Sequence, residues 1–323
     1  MAIETQLEAM TDDYFQHGGQ KVVDLYTETS FLLDYFLKQK KGNYDTHEGG
    51  RKIKIPLRYD GNAAGFFVRG DSLDSTKREA ITAVYLPWRY AYGNCTIYQI
   101  DLWENAGPEQ KVNLLTEEIE GGQIGLNKTL ATSAFTGLED DTSNLTGFNA
   151  ITNTTATDNY AEYCSNDIVS ADGTKVWTGL GSSSATALSM DAIRTIRTAA
   201  AYGEGKLSEP DLIATTEANF NTIKSILSIS QMFTEGVKTA KAGFSGVHFE
   251  GCDIYPDRYC PASNLYAFNT KHIGFTVNPK ALFKRQQWQI IADSPGDKTM
   301  KIVFGGNLTC NNRRSCYRHS SIS

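Results

Sequence analysis

The sequence predicts an α+β protein, and three observations carry that reading. Two segments near residues 52–59 and 80–92 alternate apolar and polar side chains with period two and are separated by turn formers. A segment beyond residue 108 repeats its apolar side chains about every 3.5 to 3.6 positions, the spacing of a long helix. Further on, short apolar runs alternate with helical patterns, as expected where helices cover a sheet.

The elements follow in chain order. Leu25, Leu32, Leu33, Phe36 and Leu37 predict an amphipathic helix from Val22 to Lys40, which Gly42 and Asn43 end. Ile53, Ile55, Leu57 and Tyr59 alternate with Lys52, Lys54, Pro56 and Arg58, predicting a strand with one apolar face. The segment Ala80 to Tyr92 is long enough to pair back on it. Pro56 and Pro87 each lack a ladder N–H, so this hairpin is expected to have free edges or to project from the body.

Between the two strands, Asp60, Gly61, Asn62 and Gly65 form a turn-rich stretch, yet Phe66, Phe67 and Val68 follow directly. Apolar rings at a hairpin tip need a partner.

Cys95 to Leu102 reads as another short strand. Pro108 and Glu109 open the long helix, and Val112, Leu115, Ile119, Leu126, Leu130 and Phe135 carry it to Gly137. Each of Gly121 and Gly122 weakens an isolated helix by roughly 1 kcal/mol, so close packing is expected there. Leu138 to Lys175, rich in Thr, Asn, Asp and Ser, reads as irregular connection that buries little surface. Ser189 caps a helix through Ala200, Pro210 to Thr216 is a buried strand, and Glu217 to Phe233 is a helix. VHFEGCDIYPD and NLYAFNTKHIGFTV supply further strands.

Composition bounds the function. The chain has 323 residues, 40% of them hydrophobic and 21% charged, enough for a sizeable core and two lobes. No segment offers the roughly 20 consecutive apolar residues of a membrane helix, and the start lacks the pattern of a secretory signal, so a cytoplasmic protein is expected. A formal charge of −6 argues against gripping nucleic acid with the overall field. The basic clusters Lys38 to Lys41, Lys284-Arg285 and Arg313-Arg314 read as solvated faces. Cys95, Cys164, Cys252, Cys260, Cys310 and Cys316 form no CxxC pair and read as free thiols.

Sites for chemistry are few. Gly243-Phe244-Ser245-Gly246 lacks the spacing of a nucleophile elbow, and Gly179 to Ser184 lacks the lysine of a phosphate loop. The five histidines are scattered, so no metal or cofactor site is expected. Asp101 and Glu104 are the one carboxylate pair that an enzyme, a hydrolase for instance, could use.

The order of segments resembles the major capsid proteins of tailed double-stranded DNA bacteriophages, with their Hong Kong 97 fold. GGRKIKIPLRY with VRGDSLDSTKREAITAVYLPWRY resembles the extended loop, and ENAGPEQKVNLLTEEIEGGQIGLNKTLATSAFTG the spine helix. DLIATTEANFNTIKSI with GFSGVHFEGCDIYPDRYCPASNLYAFNTKHI resembles the axial domain, and WQIIADSPGDKTMKIVFGGNLTCNNRR the closing peripheral strands. The resemblance implies an N-terminal arm at 1–48, an extended loop at 49–93 and a peripheral domain at 94–175 with its spine helix at about 108–136. An axial domain at 176–276 and closing peripheral strands at 277–323 complete it.

It further implies a structural protein, not an enzyme, that assembles into hexamers and pentamers of a head shell in the host bacterial cytoplasm and ends in the virion. Scaffolding protein and portal are the expected assembly partners, with room for a decoration protein and weak non-specific contact with packaged DNA. Phe66, Phe67, Val68 and Arg69 at the loop tip, and Leu32, Leu33 and Phe36 on the arm, are the expected inter-subunit contacts. No motif places a partner for a Lys77 crosslink, so none is expected. Encapsulin nanocompartment shells resemble the same fold and are the nearest alternative.

Overall fold

The structure, a computed structural model, describes residues 30–62, 64–73, 75–77, 79–104, 114–138, 143–154, 168–170, 176–201, 209–230, 246–292, 294 and 296–322. The expected helix starts at Val22 and Pro108, the segment with Cys164 and the Gly243 to Ser245 stretch lie outside these residues. The chain divides into two compact units.

The larger unit takes its described residues from 30–89, 131–279 and 305–322. Its main sheet is six-stranded, in the order β5 (Leu180–Ser182), β14 (Tyr317–His319), β9 (Leu265–Phe268), β6 (Leu212–Thr215), β8 (Cys252–Pro256) and β7 (Val247–Phe249). The runs LIAT and LYAF are buried at every position, the mark of strands covered on both faces. One face, with Ile213, Ile254, Leu265 and Ala267, packs with Ile193 and Ile196 of α5 (Met190–Ala200) and Phe220 and Ile223 of α6 (Glu217–Ser230). Ser189 caps α5 as expected, its hydroxyl accepting from the Ala192 amide at 3.1 Å.

The other face presents Tyr266 and Phe268 to an aromatic cluster. Phe148 lies 4.5 Å from Phe268 and 5.4 Å from Phe135, centroid to centroid. Phe148 belongs to α4 (Phe148–Ile151), a single turn inside the segment expected to bury little, and with Leu145, Ala150 and Ile151 it is buried. Average composition misled there: three of the few apolar residues of 138–154, Phe148, Ala150 and Ile151, are gathered into one buried turn. α1 (Phe31–Leu33), which continues as a π-helix at Asp34–Lys38, joins the same core through Phe31 stacked 4.0 Å from Tyr255.

β14 corrects the expected division, because this C-terminal strand pairs antiparallel with β9 inside the main sheet instead of closing a peripheral one. β10 (Ile273–Val277) instead pairs with the Gly306–Cys310 part of β13 (Lys298–Cys310) and, in parallel, with β1 (Asp45–Thr46). Gly42, at φ +79°, passes the Ile273 carbonyl so closely that a Cβ would stand 2.7 Å from it.

Arg313 is a second correction. Its basic cluster reads as a solvated face, but the side chain is 0% exposed. Its guanidinium donates to the carbonyls of Ile151 at 2.9 Å, Ala150 at 3.0 Å, Trp177 at 3.3 Å and Asn153 at 3.3 Å. These acceptors replace the water that a buried charge gives up.

The smaller unit takes its described residues from 90–104, 114–130 and 280–304. β4 (Arg89–Ile97) pairs β13, which is also joined by β11 (Lys284–Arg285) and β12 (Gln289–Ile290). α3 (Leu114–Thr136) crosses β4 at Gly122, where a Cβ would stand 2.4 Å from Cys95 Sγ and 3.2 Å from the Asn94 carbonyl. The close packing expected at Gly121-Gly122 is thus met at one of the two, since space beside Gly121 is open. The strand expected to reach Leu102 stops at Ile97, and α2 (Gln99–Glu104) follows. Asp297 Oδ1 accepts from the Gln99 amide at 2.8 Å and so starts the helix. A carboxylate about two hundred positions away in sequence overrode the alternation of Tyr98, Ile100 and Leu102.

Candidate subunit interface

The ribbon of β2 (Lys52–Arg58) and β3 (Ile81–Pro87) is a separate two-stranded sheet, in register from Lys52↔Pro87 to Arg58↔Ile81. Ile53 and Ile55, opposite Leu86 and Val84, are buried, whereas Lys52, Lys54, Pro56 and Arg58 face solvent. Pairing ends at Pro87, short of the expected Tyr92, because Arg89 onward joins β13. With only two strands, both prolines sit where a missing N–H breaks no interior ladder.

At the far end the chain turns at Val68 to Asp71. The Asp71 amide donates to the Val68 carbonyl at 3.0 Å, and the Asp71 carboxylate accepts from the Val68 amide at 2.6 Å. Gly70, at φ +100°, holds the third turn position that only glycine fills readily. This local frame presents Phe66 at 109% exposure, with Phe67, Val68 and Leu73 also exposed. Arg69 is exposed beside them. Two-stranded ribbons are marginal by themselves, and an apolar tip gains stability only when something covers it.

The arm residues behave otherwise. Leu32 and Phe36 are buried by their own chain, Phe36 at 0% exposure, and Leu33 is half-buried. This corrects the expectation that a neighbouring subunit covers Leu32 and Phe36. The cause is Asp257, whose carboxylate accepts from Ser30 Oγ at 2.8 Å and the Leu32 amide at 3.0 Å, pinning the helix start against the sheet. Burial pushes the Asp257 carboxyl above its ordinary pKa, and these hydrogen bonds oppose the shift.

Asp101 and Glu104 lie together on α2, a helix with no buried residue. Burial, then Glu104 and Asp297, raise the pKa of Asp101. Acid/base chemistry needs an enclosing site around such a pair, and this helix offers an open face. No group of residues that could hold a metal ion occurs among the described residues, and no helix among them is long and apolar enough to cross a membrane.

No protein-family model matches the sequence, and no curated protein matches it. Solved structures do. A chain of the cyanophage A-1(L) capsid asymmetric unit superposes with a TM-score of 0.68 at 13% identity, covering 94% of this chain and 95% of that one. This chain has the phage capsid fold. A chain of the native GTA particle capsid gives 0.60 at 10% identity over 96% and 99% of the two chains, and one of Mycobacterium phage Adephagia gives 0.59 at 11% over 97% and 97%. The capsid fold accounts for the element order found here: an α+β chain of the Hong Kong 97 type, with a separate two-stranded ribbon, a long helix and a sheet packed against helices. At such identities the likeness is one of fold, since backbone topology outlasts side-chain identity.

Proposed function

We propose that the chain is a major capsid subunit, building hexamers and pentamers of an icosahedral head shell around double-stranded DNA. The observation that carries this reading is coverage: the likeness runs through 94% to 97% of this chain and 95% to 99% of the three phage and particle chains compared, leaving no large part of the fold for another task. The role is structural and not catalytic. The ribbon of β2 and β3 with its tip is the extended loop, ending before β4, with Phe66, Phe67, Val68 and Arg69 covered by an adjoining subunit. Of the N-terminal arm expected at 1–48, the described part is residues 30–48. The main sheet with α5 and α6 is the axial domain, and the unit of β4, α2, β11, β12 and most of α3 is the peripheral domain, α3 being its spine. Assembly takes place in the host cytoplasm with scaffolding protein and portal.

Donor and acceptor surfaces that differ make a heterologous contact, and such contacts close into rings by rotation. Many modest contacts then add up across a shell. The test is the mass of the singly expressed protein by light scattering, with micrographs of its largest species. Rings, tubes or shells in the megadalton range are expected; a monomer or dimer that persists on concentration overturns the reading.

A further inference from the structure

Cys310 and Cys316 are the two described cysteines whose side chains hydrogen-bond each other. The other described cysteines point elsewhere: Cys252 Sγ donates to the Pro210 carbonyl at 2.8 Å, Cys260 Sγ to the Asn264 carbonyl at 3.7 Å, and Cys95 Sγ faces Gly122. The pair meets where the chain leaves one sheet for the other. Cys310 ends β13 opposite Ile273 of β10, and Cys316 stands one residue before β14, whose Tyr317 is opposite Ala267 of β9. Between them a single turn, Arg313–Ser315, folds the chain back on itself. The Cys316 amide donates to the Arg313 carbonyl at 3.1 Å, and Ser315 Oγ donates to the Asn312 carbonyl at 2.7 Å. This turn carries the buried Arg313, and both cysteines are themselves at 0% exposure.

The surroundings give the two sulfurs different characters. The hydrogen bond from the Cys310 thiol holds Cys316 below the ordinary thiol pKa against the effect of burial, and the Asn269 amide, the Ser315 hydroxyl and the Arg313 charge act in the same direction. Burial, and then Cys316 itself, push Cys310 the other way, so that it keeps its proton. A sulfur that favours the thiolate, in contact with one that stays a thiol, is arranged so that the first reacts and the second resolves.

We propose that Cys310 and Cys316 form a peroxide-sensitive site that closes to an intrachain disulfide and clips the turn holding Arg313. Full burial favours an oxidant little larger than water over a bulky disulfide reagent. The Cys316 sulfur attacks one peroxide oxygen: an S–O bond forms, the O–O bond breaks, and the departing hydroxide leaves as water with the proton that Cys316 gave up. The Cys310 sulfur then attacks the resulting sulfenic sulfur. The S–S bond forms, the S–O bond breaks, and the second hydroxide leaves as water with the Cys310 proton. Two thiols are thereby oxidised by two electrons while one peroxide is reduced to two waters. The site rests on the fold of one chain and does not depend on the shell reading.

Peptide mapping of the full chain tests it. Trypsin cuts after Lys301, Arg313, Arg314 and Arg318, so Cys310 falls in the peptide 302–313 and Cys316 in 315–318. Folded, reduced protein is titrated with hydrogen peroxide, its remaining thiols are alkylated, and the digest is weighed without reductant. The expected product is 302–313 joined to 315–318 with the loss of two hydrogens, from chains that run as monomers on a non-reducing gel. It should form ahead of any product at Cys95, Cys252 or Cys260. Closing this short loop should raise the thermal unfolding midpoint by about 2 to 4 °C, reversed by dithiothreitol. Cys316→Ser should show neither the linked peptide nor the rise. The peptide map of the parent stands without that variant, should the variant fail to fold. The proposal is overturned if both thiols stay open to alkylation after other cysteines have oxidised. It is equally overturned if they stop at sulfinic or sulfonic acid unlinked, or link only in urea or only between chains.

Discussion

Arg313 is a charge in the interior held by backbone carbonyls, its guanidinium also lying 5.9 Å from the Trp177 ring centroid. Removing the side chain takes the guanidinium donor from four carbonyls of α4 and its neighbours, at about 1 to 3 kcal/mol for each lost bond in the interior. Arg313→Met should therefore destabilise the fold by about 3 kcal/mol or more, measured by urea unfolding of unassembled protein. Asp101 supplies a pH dependence of known sign. Its pKa is raised, chiefly by burial and then by Glu104 and Asp297, so the folded state holds the proton more tightly than the unfolded chain. The stability that this group contributes is present below the ordinary carboxylate value and is lost as pH rises through the raised one. Asp101→Asn should accordingly raise the unfolding midpoint at pH 7, with the gain shrinking as the solution is acidified.

At the scale of elements, the two neighbouring glycines of α3 give opposite predictions. Gly122→Ala sets a methyl against Cys95 and the Asn94 carbonyl, and overpacking of this kind costs about 1 to 3 kcal/mol. Gly121→Ala meets open space and gains up to about 1 kcal/mol of helix propensity. Thermal unfolding of the two variants beside the parent checks both signs. Elements whose signal is local were legible in the sequence: Ser189 and α5, the run Leu212–Thr215, and the alternation of β2. α2 was not, because Tyr98, Ile100 and Leu102 alternate as a strand does and the deciding contact comes from Asp297. α4 was hidden by a polar average, although Phe148 and Ile151 with Ala150 form its buried side.

For the whole molecule, the division between fold and assembly is carried by the ribbon tip. Phe66→Ser with Phe67→Ser removes two exposed rings that the chain's own core does not use. The double variant should keep the unfolding midpoint of the parent within about 0.5 kcal/mol, as surface changes do, yet fail to form particles. Light scattering and denaturation on one preparation read both quantities. Loss of the fold would mean that the ribbon belongs to the core after all.

The sequence by itself determined the class of the fold, the order of its elements and the oddity of apolar rings at a hairpin tip, because periodicity, caps and turn residues act within a few positions of each other. Only the tertiary structure decided which apolar residues are free. Leu32, Phe36 and Phe66 look alike along the chain, yet Asp257 draws the first two into the core while the turn at Gly70 holds the third in solvent. Strand partnership was likewise settled in three dimensions, where the last strand, Tyr317–His319, found its place beside Leu265–Phe268. Burial and pairing are sums over groups distant in sequence, and a pattern with a range of a few residues does not contain them.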